Sequence, residues 1–152
     1  MQTLTDPQLL SLFRRGQEPA FEELEAIPAS GAPFEEQLRT LVATVHARRV
    51  EDFPLIQAML WLPGTFPALD GETGSRMRSC VLRFGAGVDA VLAVGQEQGR
   101  VVPGARAPMV LALAGMMDSF AKAEIFGLAG SMPEVPESVC RAFLRGFGQG
   151  VR

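Results

Sequence analysis

The chain has 152 residues, of which 47% are hydrophobic and 20% charged, and its net charge at pH 7 is −3. This length suits a single domain that folds without help from a disulfide or a metal. The acidic balance argues against nonspecific nucleic-acid binding, which requires a basic surface. Two cysteines and one histidine cannot supply the four ligands of a Cys/His structural zinc site.

The sequence shows no targeting signal. The opening residues MQTLTDPQLL lack the basic segment and apolar core of a signal peptide. The longest nearly unbroken apolar run, from Ala107 to Met117, is shorter than the roughly 20 residues of a membrane span. We therefore expect one cytoplasmic domain over residues 1–152, with no membrane partner, no cofactor, no metal and two reduced cysteines.

Proline, glycine and capping residues divide the first half of the chain into helices. Glu35 and Glu36 lie in the first turn of one of them, where acidic side chains complement the helix dipole. Pro54 suits the first turn of the next helix, because proline has no N–H to leave unpaired there. Helices are predicted at about residues 6–13, 18–27, 33–49 and 52–62.

Three longer helices are predicted in the second half, at about residues 72–98, 107–128 and 136–149. Gly85 and Gly87 interrupt the first of these, and they either admit a neighbouring backbone or mark a kink beside a cavity. The second is apolar around most of its circumference, so it must be covered on more than one side. No segment alternates with period two over a useful length. The predicted fold is all-α, with about seven helices in one bundle.

The last two predicted helices are rich in Met, Phe, Leu and small residues. They carry more apolar surface than one side of a small bundle covers, and a two-fold axis would let the same patch meet itself. We expect a homodimer through these helices; ordinary core helices in a monomer are the alternative. The predicted interface residues are Ala112, Gly115, Met116, Ala123, Phe126, Val139, Phe143, Leu144 and Phe147.

Few residues are arranged for catalysis. No serine lies in a G-x-S-x-G turn, and no glycines form a G-x-G-x-x-G or phosphate loop. Adjacent carboxylates such as Glu22 and Glu23 diverge by about 100° around a helix, so they do not converge on one atom. Cys80 and Cys140 fall on apolar faces, where core thiols are inert. We therefore expect no enzymatic activity, and a small all-α enzyme is the weaker alternative.

Large, adaptable apolar side chains recur on the fourth, fifth and sixth predicted helices and in the loop after the fourth. With His46 and one or two arginines as polar anchors, they could enclose an apolar ligand between helices. A dry packed core and a merely hydrogen-bonded histidine are the alternatives. The candidate ligand-binding residues are His46, Phe53, Met59, Trp61, Phe66, Met77, Phe84, Met117 and Phe120.

The order of these segments resembles the C-terminal regulatory domain of tetracycline-repressor-type (TetR/AcrR) transcriptional regulators. PFEEQLRTLVATV is similar to the family's early regulatory helix, and FPLIQAMLWLPGTFPAL to the short helix that follows it. GQEQGRVVPGARAPMVLALAGMMDSF resembles the end of the long helix, a turn and an apolar helix. RAFLRGFGQGV resembles the closing dimerisation helix.

The resemblance implies a homodimer that binds a small apolar effector, which shifts helix positions and so releases DNA from a complete repressor. The family's N-terminal helix-turn-helix unit has no counterpart here, because TDPQLLSLFRRGQEPAFEEL resembles the helix that connects to it. We therefore expect no DNA-binding domain in this chain and DNA binding only through a longer product. A stand-alone dimerisation or interaction module, without ligand or DNA binding, is the alternative function.

Overall fold

The computed structural model describes residues 19–61, 72–128, 130 and 134–150; the side chains at 50–61, 72–74, 76 and 77 are not described. The described part contains five helices and no strand, which confirms the all-α prediction for these residues. They are α1 (residues 19–29), α2 (Phe34–Trp61), α3 (Glu72–Glu97), α4 (Ala107–Ile125) and α5 (Val135–Phe147).

The helix boundaries differ from the prediction in the first half of the chain. The helix predicted from Asp6 lies outside the described residues. The helices predicted at 33–49 and 52–62 are one helix, α2, which continues through Pro54, so the predicted break is wrong. The φ angle of proline is itself helical, and an interior proline removes one backbone hydrogen bond. The local sequence does not distinguish a proline inside a helix from a proline that begins one.

Helices α3 and α4 both end at a glycine with left-handed backbone. Gly99 has a φ of 66°, its N–H donates to the Gln96 carbonyl, and the Arg100 N–H donates to the Gly95 carbonyl at 2.8 Å. The same hydrogen-bond pattern surrounds Gly127, whose φ is 67°. These are Schellman motifs, which satisfy the last carbonyl groups of a helix. The motif ends α4 at Ile125, earlier than predicted.

The core surrounds α2, which packs against α3, α4 and α5. Helix α1 lies against α3, where Arg83 pairs with Glu25 at 2.6 Å and stacks over the Phe21 ring. Apolar residues three and four apart supply the buried face of each helix, as expected for amphipathic helices. The fully buried side chains include Phe34, Leu38 and Leu41 of α2, Val88, Val91 and Leu92 of α3, Leu113 of α4, and Val139 and Phe143 of α5.

The connection between α3 and α4 is tied to two other helix ends. At the start of α2, the Phe34 N–H donates to Gln98 Oε1 at 2.9 Å, so a side chain from α3's end caps α2. At the end of α5, Val101 forms an isolated antiparallel bridge with Gly148. This connection therefore holds the ends of α2, α3 and α5 together.

Gly95 lets this connection lie directly against α3. A Cβ atom there would lie 2.6 Å from Val101 Cγ2 and 2.7 Å from two ring carbons of Phe34. The sequence instead predicts either a close approach or a kink beside a cavity at Gly85 and Gly87. A Cβ at Gly85 would meet nothing within 4 Å, and one at Gly87 would make a contact of ordinary length, 3.9 Å.

Substituting Gly95 by Ala is expected to lower the free energy of unfolding by about 1–3 kcal/mol, because both neighbours are buried and cannot move aside freely. The matched control Gly85→Ala, in the same helix, should raise it by up to about 1 kcal/mol through helix propensity alone. Urea denaturation followed by circular dichroism measures both effects. Equal effects of the two substitutions would contradict the close approach at Gly95.

Candidate functional site

The described side chains of the candidate ligand set lie on α2, α3 and α4. Met117 is buried in the core with 2% of its surface exposed, and Phe84 and Phe120 are half-buried and pack against that core. The His46 side chain is 14% exposed. The remaining members lie outside the described side chains: Phe53, Met59, Trp61, Phe66 and Met77.

His46 links α2 to α4. Its Nε2 atom lies 2.5 Å from Glu124 Oε2. His46 therefore has a structural position between two helices, and a ligand contact by this residue stays a prediction.

An ionic link also joins the same two helices. Arg49 Nη1 of α2 lies 2.6 Å from Asp118 Oδ1 of α4, and Lys122 Nζ lies 2.7 Å from Asp118 Oδ2. Each oxygen of the Asp118 carboxylate thus faces a cation. Sequence reasoning missed this cluster. The spacing of Asp118 and Lys122 was an available i, i+4 signal, whereas Arg49 lies 69 positions away and gives no local signal.

The outward side of α4 exposes apolar side chains beside the charged residues Asp118 and Lys122. Its buried residues recur every four positions from Met109 to Ala121 and face the core. On the other side, Leu111 is 74% exposed and Phe126, just after the helix, is 58% exposed. Sequence reasoning missed Leu111, although it lies one turn before the predicted interface residue Gly115. We define the α4 face as Leu111, Ala112, Gly115, Ser119, Ala123 and Phe126, all of them at least partly exposed, with Met116 at its margin.

The predicted interface residues of α5 divide into two groups. Val139 and Phe143 are buried in the chain's own core, because α5 turns this i, i+4 row toward α2 and α4. Leu144 and Phe147 are half-buried, and the rings of Phe143 and Phe147 stack with centroids 5.0 Å apart. Within α5, only the second group remains partly available to another molecule.

A depression of about 470 Å³ opens widely to solvent on α1 and α2. None of the candidate ligand-binding residues lines it, so it does not correspond to the predicted effector site. Its lining consists of Glu23, Ala43, Thr44, Ala47 and Arg48.

Neither Cys80 nor Cys140 forms a disulfide. Cys140 is buried, and this burial, with a smaller contribution from the Glu137 charge, raises the pKa of its thiol to about 11. A thiol that stays protonated is a poor nucleophile and a poor metal ligand. In the part of the chain that the structure describes, no group of three His, Cys, Asp or Glu residues could hold a metal ion.

One stretch of α3, Arg78–Glu97, is long and apolar enough to cross a membrane by length and composition, with a mean hydropathy of 1.2. Its second half contributes Val88, Val91 and Leu92 to the core, whereas Val81 and Leu82 are exposed. Core helices of folded domains pass the same test. The finding assigns no compartment.

No protein-family model matches the chain, and a comparison with curated proteins finds no match. The resemblance to TetR-type regulators therefore rests on the sequence segments quoted above. The structure shows only that the described residues are all-helical.

The raised pKa of Cys140 predicts a specific pH dependence. The unfolded thiol loses its proton near pH 9.0 and the folded thiol near pH 11, so the folded state binds more protons in between. Stability should therefore decline as pH rises from about 9 to 11, and Cys140→Ala should remove this part of the decline. Denaturant unfolding at pH 7, 9 and 10, in a Cys80→Ala background, measures it.

The chain suits this measurement because it has no tyrosine and a single lysine, so few other groups titrate in that range. The Cys140→Ala protein will be less stable at every pH, because the substitution leaves a small cavity. Only the slope of the free energy of unfolding against pH tests the prediction. Equal slopes for the two proteins would contradict the prediction.

Proposed function

We propose that this chain is the effector-binding and dimerising regulatory domain of a TetR-type transcriptional regulator, acting in the cytoplasm. The observation that supports it most directly is the exposed, apolar α4 face. In the resembling family, the closing helices form the contact between two copies. Here α4 and α5 pack together and leave the α4 face partly exposed to solvent.

The composition of the α4 face favours a contact with another protein surface. Removing large exposed apolar side chains such as Leu111 and Phe126 from water lowers the free energy of the system. A Cβ atom at Gly115 would meet nothing within 4 Å, so a second helix can approach closely at that position. Leu144 and Phe147 extend the available apolar surface to α5.

The proposed effector site lies between α2, α3 and α4, where His46, Phe84 and Phe120 are found. An effector acts only if it binds one arrangement of the helices more tightly than another. Helix α2 is joined to α4 through His46 and Arg49, so a displacement of α2 would be transmitted to the α4 face. In a longer product with a helix-turn-helix unit, this would change the spacing of the two DNA-reading units.

A stand-alone dimerisation module without a ligand is the second candidate function. The observation that favours it is Met117, a candidate ligand residue that is packed in the core with 2% of its surface exposed. The two candidates share the dimer and differ in the presence of an effector cavity.

If the α4 face forms the dimer contact, substitutions of two exposed leucines should affect dimerisation differently. The wild-type chain should be a dimer at micromolar concentration, and Leu111→Asp should raise the dimer dissociation constant at least tenfold, about 1.4 kcal/mol. Leu82→Asp is the matched control, because Leu82 is 67% exposed but lies on α3 and is not part of the α4 face. Sedimentation equilibrium measures all three proteins. A monomeric wild type, or equal losses in both variants, would contradict the dimer.

The effector site predicts that a hydrophobic small molecule binds with micromolar affinity and raises the melting temperature. Ligand at 100 times its dissociation constant should stabilise the protein by about 2.7 kcal/mol. Trp61→Ala or Phe84→Ala should abolish the shift while the protein stays folded. A thermal-shift screen of apolar and aromatic compounds tests this. No shift with any compound would favour the stand-alone module.

A further inference from the structure

The buried side of α3 continues past the core. Val88 and Leu92 are fully buried, whereas Val81, two helical turns before Val88, is 68% exposed. Residues seven positions apart lie within about 20° of each other around a helix, so Val81 projects to the same side as the core residues. The neighbouring Leu82 is 67% exposed, but it lies about 120° from Val88 around the helix. Val81 therefore extends the core-facing side of α3 into solvent.

Helix α2 is basic where it passes this part of α3. The two helices pack along each other in opposite directions, with Phe34 at the start of α2 against Gly95 near the end of α3. An equal length of helix from that contact, about 21 Å, leads to Val81 on α3 and to Arg48, next to Arg49, on α2. An exposed apolar side chain and two arginines therefore lie at the same level of the bundle.

Arg49 has an unused hydrogen-bond donor at this level. Its Nη1 atom pairs with Asp118 at 2.6 Å, whereas its Nε atom is buried and donates to no atom of the described residues. A buried N–H without an acceptor costs free energy, so pairing it with an acceptor is favourable. Arginine binds carboxylates strongly, because both groups are charged and their hydrogen bonds are short. The Nε atom is therefore suited to an acceptor oxygen that the described chain does not supply.

The charges around Arg49 can accommodate one more carboxylate. Asp118 faces two cations, since Lys122 Nζ lies 2.7 Å from its second oxygen. The second acid of α4, Glu124, contacts His46. The carboxylate of an incoming molecule would thus supply a second acid for the two cations Arg49 and Lys122.

We propose that the effector is an apolar carboxylic acid, whose hydrocarbon part covers Val81 and Phe84 and whose carboxylate accepts a hydrogen bond from Arg49 Nε. The inference rests on the proposed effector site, which already contains Phe84. Covering Val81 removes apolar surface from water and so provides affinity, and the arginine fixes the orientation of the acid. Because Arg49 also holds α4 through Asp118, the bound acid favours one arrangement of α2 and α4 over another, as an effector must.

The test measures dissociation constants by isothermal titration calorimetry for two matched pairs, decanoate with decanol and naphthylacetate with naphthylethanol. In at least one pair, the acid should bind the wild type about tenfold more tightly than the alcohol. Arg49→Met should remove this preference, and it should still fold because Asp118 keeps its contact with Lys122. Arg39→Met is the matched control, because Arg39 also lies on α2 but pairs with Glu137 of α5. It should leave the preference unchanged.

Val81 and Leu82 provide a second comparison. Val81→Ser should weaken the binding of acid and alcohol alike by about fivefold, because both molecules share the apolar contact. Leu82→Ser should weaken neither, although Leu82 is nearly as exposed as Val81.

The outcomes separate the inference from the proposed effector site. An acid that binds no more tightly than its alcohol, or a preference that survives Arg49→Met, overturns the inference and leaves an effector site that takes neutral molecules. Equal effects of Val81→Ser and Leu82→Ser also overturn it. If neither pair binds, the inference is overturned, and the proposed effector site falls with it only if the thermal-shift screen also gives no shift. Arg49→Gln replaces the methionine variant if circular dichroism shows that the latter is unfolded.

Discussion

Burial of the apolar row of α2 is the constraint on which the other features depend. Phe34, Leu38 and Leu41 are fully buried, and α2 packs against α3, α4 and α5. Each such side chain contributes roughly 1.5–3 kcal/mol when it leaves water. The apolar row of α4 that runs from Met109 to Ala121 packs toward α2. The opposite side of α4 must therefore face outward. The α4 face is thus a consequence of how the core is filled.

The ionic contacts between α2 and α4 have a different role from the core. His46 with Glu124 and Arg49 with Asp118 are partly exposed, and pairs of this kind contribute about 0–1 kcal/mol each. They add little to stability but they fix how the two helices are aligned. Since α2 carries candidate effector residues and α4 carries the proposed interface, this alignment is the physical route by which one site could influence the other.

Local sequence was sufficient for features that depend on helical periodicity. The start of α2 after Pro33, the end of α3 before Gly99 and the all-α class could be predicted, because caps, breakers and apolar spacing act within a few residues. Features set by distant parts of the chain could not. The close approach at Gly95 depends on Val101 and Phe34, which pack against it from other parts of the chain.

The candidate site was predictable only in part for the same reason. An apolar row predicts that a side chain is buried, but it does not tell whether the covering surface belongs to the same chain or to another copy. Val139 and Phe143 of α5 were predicted at an interface and are covered by the chain itself. Leu111 was not singled out and is exposed, and the contact between Arg49 and Asp118 joins residues 69 positions apart.

The bridge between Val101 and Gly148 attaches the end of α5 to the connection between α3 and α4. Two backbone hydrogen bonds of 2.9 Å flank this bridge. The Val102 N–H donates to the Phe147 carbonyl, and the Gln149 N–H donates to the Arg100 carbonyl. They join the segment before α4 to the end of α5. Separation of the two backbones at this bridge would expose the packing around Phe34 at the start of α2. The end of α5 and the first turn of α2 are therefore both hydrogen-bonded to the connection between α3 and α4.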